Sequence, residues 1–222
     1  MIYQNQESFI LMGAGGHGAV VAEAIELCGG QIINFIDHDI LKIDVFGHSV
    51  IQNENSISND EHKFIITIGD NATRKKRAFE LDRLYGKIQH PSAIISKRAV
   101  IGEGTVIMAG VCINTNVIVG KHCIINTSST IDHDCLLGDF VHIAPSASLA
   151  GNVTVGQGTL IGLGTFIIQG VNIGKWCIIG AGSVIIRDVP DYSVVAGAPA
   201  KFIRINDNIN EEEDLVVATP HE

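Results

Sequence analysis

The sequence predicts a mainly β chain, a repetitive solenoid of short strands preceded by a small Rossmann-like α/β unit. Three observations carry that expectation. A branched apolar residue recurs at every sixth position from Ile95 to Ile179, fifteen times without a miss. Glycine supplies 24 of the 222 residues, about 11% against a usual ~7%, while aromatic residues are only 5%. A short apolar run, Phe9 to Met12, opens directly onto Gly13-Ala14-Gly15-Gly16-His17-Gly18.

Along the chain, Phe9 to Met12 reads as a strand, the glycine run as a turn, and Ala19 to Leu27, with its helical apolar stripe, as a helix ended by Gly29-Gly30. Ile32 to Ile36 is a second strand ending at Asp37. Phe64 to Ile68 is a third, ending at Gly69-Asp70-Asn71 before a helix that carries Arg74, Lys75, Lys76 and Arg77. This is a βαβαβ unit. Backbone amides at the glycine turn and the helix N-terminus favour an anion such as a diphosphate, and an acid at the end of the second strand suits a ribose or a base. The same G-x-G-x-x-G match is open to a nicotinamide-dependent oxidoreductase. Size argues against that reading, because a dinucleotide needs two mononucleotide halves and about 90 residues supply one.

The six-residue period fits neither a helix at 3.6 nor a long flat strand at 2. It suits a short strand followed by a corner, so that three sides close one coil of eighteen residues. Four positions after each branched residue comes a small or β-branched one, as at Thr105, Val117, Cys123, Ser129, Cys135 and Ala147. Both positions are expected to face the interior, and the five cysteines, with no CxxC spacing, are expected to be buried thiols rather than disulfides or zinc ligands.

Charge and hydropathy exclude several classes. With 15 basic and 24 acidic residues the net charge is −9, which disfavours nucleic acid as the partner. No Lys or Arg precedes Lys42 and no apolar run reaches the ~18 residues of a membrane span, so the expectation is a cytoplasmic protein without membrane insertion. The histidines His122, His133 and His142 lack the His-x4-His spacing of a β-helix zinc site, and no metal is expected.

The repeat over about residues 95 to 186 resembles that of the hexapeptide-repeat acyltransferases, and Gly197-Ala198-Pro199-Ala200-Lys201 resembles their G-x-P-A-K closing segment. The resemblance implies a left-handed parallel β-helix, a homotrimer and acetyl-CoA as co-substrate. Taken with the glycine turn, Phe35-Ile36-Asp37 with Asp39, the Ile68 to Asn71 turn with Arg74, and His90-Pro91-Ser92-Ala93, the chain resembles bacterial sugar-nucleotide N-acetyltransferases and their sialic acid O-acetyltransferase relatives. Residues 1–92 are then the sugar-nucleotide-binding domain, 93–205 the acetyltransferase domain and 206–222 an acidic polar tail. The implied reaction is N-acetylation of the 4-amino group of a nucleotide-linked 4-amino-4,6-dideoxy sugar, UDP-linked by preference. Sialic acid O-acetylation is the alternative within the class, and a non-catalytic solenoid the alternative outside it.

His133 is the third residue of its hexapeptide, so its ring should leave the prism, and Asp132 and Asp134 bracket it. The resemblance carries the role of general base to His133 and of its partner to Asp134. It places His142, Gly151, Ala181 and Lys201 along the acetyl-CoA, with a backbone amide near Gly151 facing the oxyanion. Gly13, Gly15, Gly16, His17, Asp37, Asp39 and Asn71 are the expected contacts to the sugar nucleotide. For His17 the alternative is an exposed turn residue, and His38, His48, His62, His122 and His221 are expected to have structural or solvated places.

Overall fold

The computed structural model describes residues 7–53, 62–81 and 83–207. The acidic stretch Glu211 to Asp214, the apolar Leu215-Val216-Val217 and His221 lie outside them. The α/β unit runs β1 (Ser8–Met12), α1 (Gly16–Leu27), β2 (Gln31–Ile36), β3 (Asp44–Val45), β4 (His48–Ile51), β5 (Lys63–Ile66) and α2 (Asn71–Glu80). Its sheet has the order β3-β4-β2-β1-β5, with β1 paired in parallel to both β2 and β5. The β3–β4 hairpin between β2 and β5 is an addition to the expected order. Helix α1 begins at Gly16, three residues before the expected Ala19, because Gly15 is extended and serves as its N-cap.

The solenoid begins with β6 (Ile88–Gln89), inside the stretch assigned to the first domain, and continues through sixteen two-residue strands six residues apart, β7 (Ile94–Ile95) to β22 (Val184–Ile185). It closes with the antiparallel pair β23 (Ser193–Gly197) and β24 (Ala200–Ile205). Each strand pairs in parallel with the one eighteen residues on, as Ile113 with Ile131 and Ile131 with Leu149. Three sheets of six, five and eight strands form the faces.

The interior is what the period dictates. Ile125, Ile143 and Ile161 from the branched series and Val117, Cys123, Ser129, Cys135 and Thr159 from the small series are all fully buried. Cys177 is buried as well, but Cys28 and Cys112 are only half-buried: neither occupies an inward position of the repeat, and the expectation of five buried thiols is corrected to three. A left-handed backbone recurs at the corners, at Asn116, His122, Ser128, Asp134, Phe140 and Ser146. At Phe140 and Trp176 this conformation is costly for a bulky side chain. Both are buried on the corner that carries α2, where packing against the α/β unit offsets the strain. No helix among the described residues is long and apolar enough to cross a membrane.

Candidate active site

His133 sits at the corner between β13 (Thr130–Ile131) on the six-stranded sheet and β14 (Leu136–Leu137) on the five-stranded one. The turn sends its ring outward, and half of the side chain is exposed. Its Nδ1 lies 2.8 Å from Asp134 Oδ2, and its backbone N–H donates to Asp132 Oδ1 at 2.7 Å. The preceding coil steadies both acids: Asn114 donates to Asp132 at 2.7 Å and Asn116 to Asp134 at 3.0 Å. The bond to Asp134, followed by the charge of Asp132, raises the His133 pKa above its ordinary value. Asp134 is held below the usual carboxylate range by Asn116 and then by His133. An imidazole whose Nδ1 is engaged by a carboxylate presents Nε2 as a base.

Gly151, one coil further, lies under this ring, and a Cβ there would come within 2.5 Å of His133 Cε1. The residue before it is Ala150, which offers no side-chain acceptor of the kind Asp132 gives the His133 amide. Among the described residues the Gly151 N–H has no hydrogen-bond acceptor.

A second cluster forms on another face. His142 lies on β15 (His142–Ile143), in the eight-stranded sheet, where its Nε2 is 3.3 Å from Asn126 Nδ2. Burial, then the charge of Arg74, then His17 hold its pKa down to about 3, against an opposing hydrogen bond at the Gly69 backbone. His17, from the glycine turn, is likewise held to about 4 by burial and by Arg74, and its Nε2 is buried with no partner among the described residues. Both rings are neutral at pH 7. The fold therefore brings His17 together with His142, and puts His133 on a different edge of the same prism.

The remaining expected residues divide between open and occupied. Gly15 and Gly16 border open space, and Gly13 takes a left-handed φ of 118° at the end of β1. Asp37 already accepts from Ala14 N–H at 2.8 Å, Asp39 N–H at 3.0 Å and Lys42 Nζ at 2.9 Å. Burial pushes its carboxyl up, but these donors, led by the Asp39 amide, leave it below the ordinary range. Asp39 is exposed and caps the Leu41 N–H. Asn71 is buried, with its Nδ2 donating to the Gly158 carbonyl at 2.9 Å and its Oδ1 accepting from Arg74 at 2.7 Å, so it joins the two units. Ala181 is exposed at a corner stacked on Gly162. Lys201 edges an open groove of about 380 Å³ with Arg187, Pro199 and Phe202 at the closing end of the solenoid. No group of three His, Cys, Asp or Glu residues able to hold a metal occurs among the described residues.

Sequence reasoning missed Asn114, Asn116, Asn126 and the part played by Arg74. The first two were within reach, since a coil of eighteen residues puts Asn114 beside Asp132 and Asn116 beside Asp134. Asn126 reaches His142 between adjacent coils of the solenoid, whereas the part played by Arg74 depends on how the α/β unit docks, which no local period encodes.

Residues 8–81 match the family model described as the PglD N-terminal domain. Over 110 residues the chain is 40% identical to the UDP-N-acetylbacillosamine N-acetyltransferase of Bacillus subtilis (strain 168). That stretch is 45% of this chain and 50% of the other, so the chain spans about half the length of the curated relative it matches. The solved acetyltransferase domain of PglB from Neisseria gonorrhoeae FA1090 is 38% identical, with a TM-score of 0.84 over 90% of this chain and 100% of that one. PerB from Caulobacter crescentus, solved in complex with CoA and GDP-perosamine, is 35% identical, with a TM-score of 0.83 over 90% and 99%. Likeness of this extent, through both the α/β unit and the solenoid, makes the chain a member of the hexapeptide-repeat sugar N-acetyltransferase family.

Proposed function

We propose that this chain transfers an acetyl group from acetyl-CoA to the 4-amino group of a nucleotide-linked 4-amino-4,6-dideoxy sugar, in the assembly of a bacterial surface glycan or glycoprotein. The observation that carries the reading is the His133–Asp134 pair on an open corner with the unengaged Gly151 amide beside it. The relatives support the substrates: one is named for UDP-N-acetylbacillosamine and another was solved with CoA and GDP-perosamine.

In the proposed reaction the sugar amine attacks the thioester carbonyl carbon while His133 Nε2 accepts a proton from the nitrogen. The carbonyl oxygen gains negative charge opposite the Gly151 N–H. Collapse breaks the carbon–sulfur bond, and the CoA thiolate leaves and takes up the proton from His133. The products are the acetamido sugar and free CoA. An amine is already a competent nucleophile, so no acyl-enzyme is required. Arg187 and Lys201 at the closing groove suit the CoA phosphates, and Ala181 the pantetheine.

We infer a homotrimer from the placement of the two clusters. The glycine turn, His17 and His142 belong to one face of the prism and His133 to the opposite edge, so an amine presented by one copy reaches the His133 of a neighbour. Thiol release from acetyl-CoA on adding UDP-, GDP- or dTDP-linked 4-amino sugars is the test. Release with one of the three is expected, and no release with any of them overturns the function. Full activity in a species that sediments only as a monomer overturns the trimer.

A further inference from the structure

Beside an apolar seam in which β1 and α1 pack on Ile88, Val106, Met108 and Ile124, the two units meet a second time through α2, whose buried face is polar. The residues that α2 buries are Asn71, Arg74 and Lys75. They meet one corner of the solenoid over four successive coils. Arg74 Nε donates to the His122 carbonyl at 2.8 Å and Nη2 to the Phe140 carbonyl at 2.9 Å. Asn71 holds the Gly158 carbonyl, and the Lys75 ammonium lies 5.3 Å from the Trp176 ring centre.

Arg74 is 1% exposed and no carboxylate bonds it among the described residues. Its other donors turn back into its own domain: Nη1 to the Ile68 carbonyl at 2.9 Å and the Gly69 carbonyl at 3.1 Å, and Nη2 to Asn71 Oδ1 at 2.7 Å. A guanidinium has five N–H groups, and here five bonds use them all. Burying a cation without a counter-ion costs several kcal/mol, a cost that a purely mechanical joint could avoid with leucines. What the guanidinium adds is direction. Its fork fixes the β5–α2 turn, which contacts the His17–His142 cluster at Gly69, relative to two carbonyls of the solenoid.

We propose that Arg74 is a positioning residue for acetyl transfer: through the Ile68–Gly69 turn it sets the pose of the nucleotide-sugar unit on the solenoid, and with it the point at which the amine meets the acetyl group. The proposal rests on the function above. Arg74 touches neither substrate nor cofactor, so its loss acts on orientation, where a misplacement of about 1 Å costs about 10²-fold in rate.

The test pairs kinetics with hydrogen exchange on the full chain. Arg74→Gln should lower kcat about 10²-fold while the dissociation constants of acetyl-CoA and of the nucleotide sugar stay within about threefold. Arg74→Lys keeps the charge but not the planar fork, and should fall between the two. In both variants, amides of the β5–α2 turn should exchange at least tenfold faster, with β1 and the inner coils unchanged. A kcat within threefold of wild type in both overturns the proposal, as does a fall in kcat/KM that comes wholly from weaker nucleotide-sugar binding. Should Arg74→Gln not fold, Arg74→Lys alone decides by the same limits. If the wild-type chain transfers no acetyl group, the function fails on that result, and unchanged exchange at the turn still overturns the Arg74 inference by itself.

Discussion

The ring of His133 occupies the space above the α-carbon of Gly151, eighteen residues later: a methyl group there would lie 2.5 Å from Cε1 and 2.7 Å from Nε2. In the proposed reaction this one residue would both make room for the base and turn its amide toward the oxygen that gains charge. Gly151 does not hold a left-handed φ, so alanine fits the backbone and the cost falls on the ring. Gly151→Ala is expected to lower kcat at least tenfold at saturating substrates, with the melting temperature nearly unchanged. A variant that turns over like wild type separates the ring position from the chemistry and removes Gly151 from the site.

His133→Ala should lower kcat by about 10²- to 10⁴-fold, the usual weight of a general base, while acetyl-CoA binding persists. Asp134→Asn should cost less, since it alters the ring's basicity and orientation without deleting it. The pH dependence has a definite sign. In the proposed reaction His133 acts as the neutral base, and Asp134, then Asp132, raise its pKa above 6.5, so kcat/KM should climb as pH rises through that raised value and then level. Removing the Asp134 charge lowers the pKa, so in Asp134→Asn the acid limb moves to lower pH as the plateau falls. A limb that stays in place, or moves up, assigns the titration to another group.

How much was legible follows from what is local. Ile131, Cys135 and His133 take their inward or outward directions from the six-residue period alone, and the coil length then dictates that Asn116 reaches Asp134. The glycine turn likewise announces itself, because Gly18 must pack against the Gly13 carbonyl. The seam was not legible. Arg74 and Lys75 stand in a run of four basic residues, Arg74 to Arg77, and only docking turns these two inward. Asn71, expected at the sugar nucleotide, also bonds across the units, which the period cannot show for the same reason. His142, expected along the acetyl-CoA, points toward the Gly69 turn of the α/β unit, a neighbour 73 positions earlier in the chain that periodicity cannot supply.

Two glycines of one turn should respond differently. A Cβ at Gly15 meets nothing within 4 Å, whereas one at Gly18 would run into the Gly13 carbonyl oxygen. Gly15→Val should therefore fold normally and bind acetyl-CoA as before, yet bind the nucleotide sugar at least tenfold more weakly, because the new side chain fills the space a diphosphate would use. Gly18→Ala should lower the melting temperature by several degrees. Calorimetry with each ligand checks the first and thermal denaturation the second. Equal weakening of both ligands by Gly15→Val contradicts the division of labour between the two units.

Acid should loosen the same seam that Arg74 holds. His122 is buried between Tyr85, 4.5 Å away edge-on, and Phe140, stacked at 5.2 Å, and its Nδ1 has no partner. Burial, more than any neighbouring charge, lowers its pKa to about 4. Unfolded, the same imidazole titrates near 6.5. Between those values the unfolded chain binds a proton that the folded chain refuses, so stability is whole above about pH 6.5 and declines as pH falls toward 4. His17 and His142 add to the same slope, with folded values of about 4 and about 3. Phenylalanine already occupies the equivalent left-handed corner at Phe140, so His122→Phe keeps the stack and removes the titration. The variant should match or exceed wild-type stability at pH 7 and lose less of its melting temperature between pH 6.5 and 4. If wild type and His122→Phe lose the same amount over that interval, the acid sensitivity lies with His17 and His142, and the His122 stack contributes nothing to it.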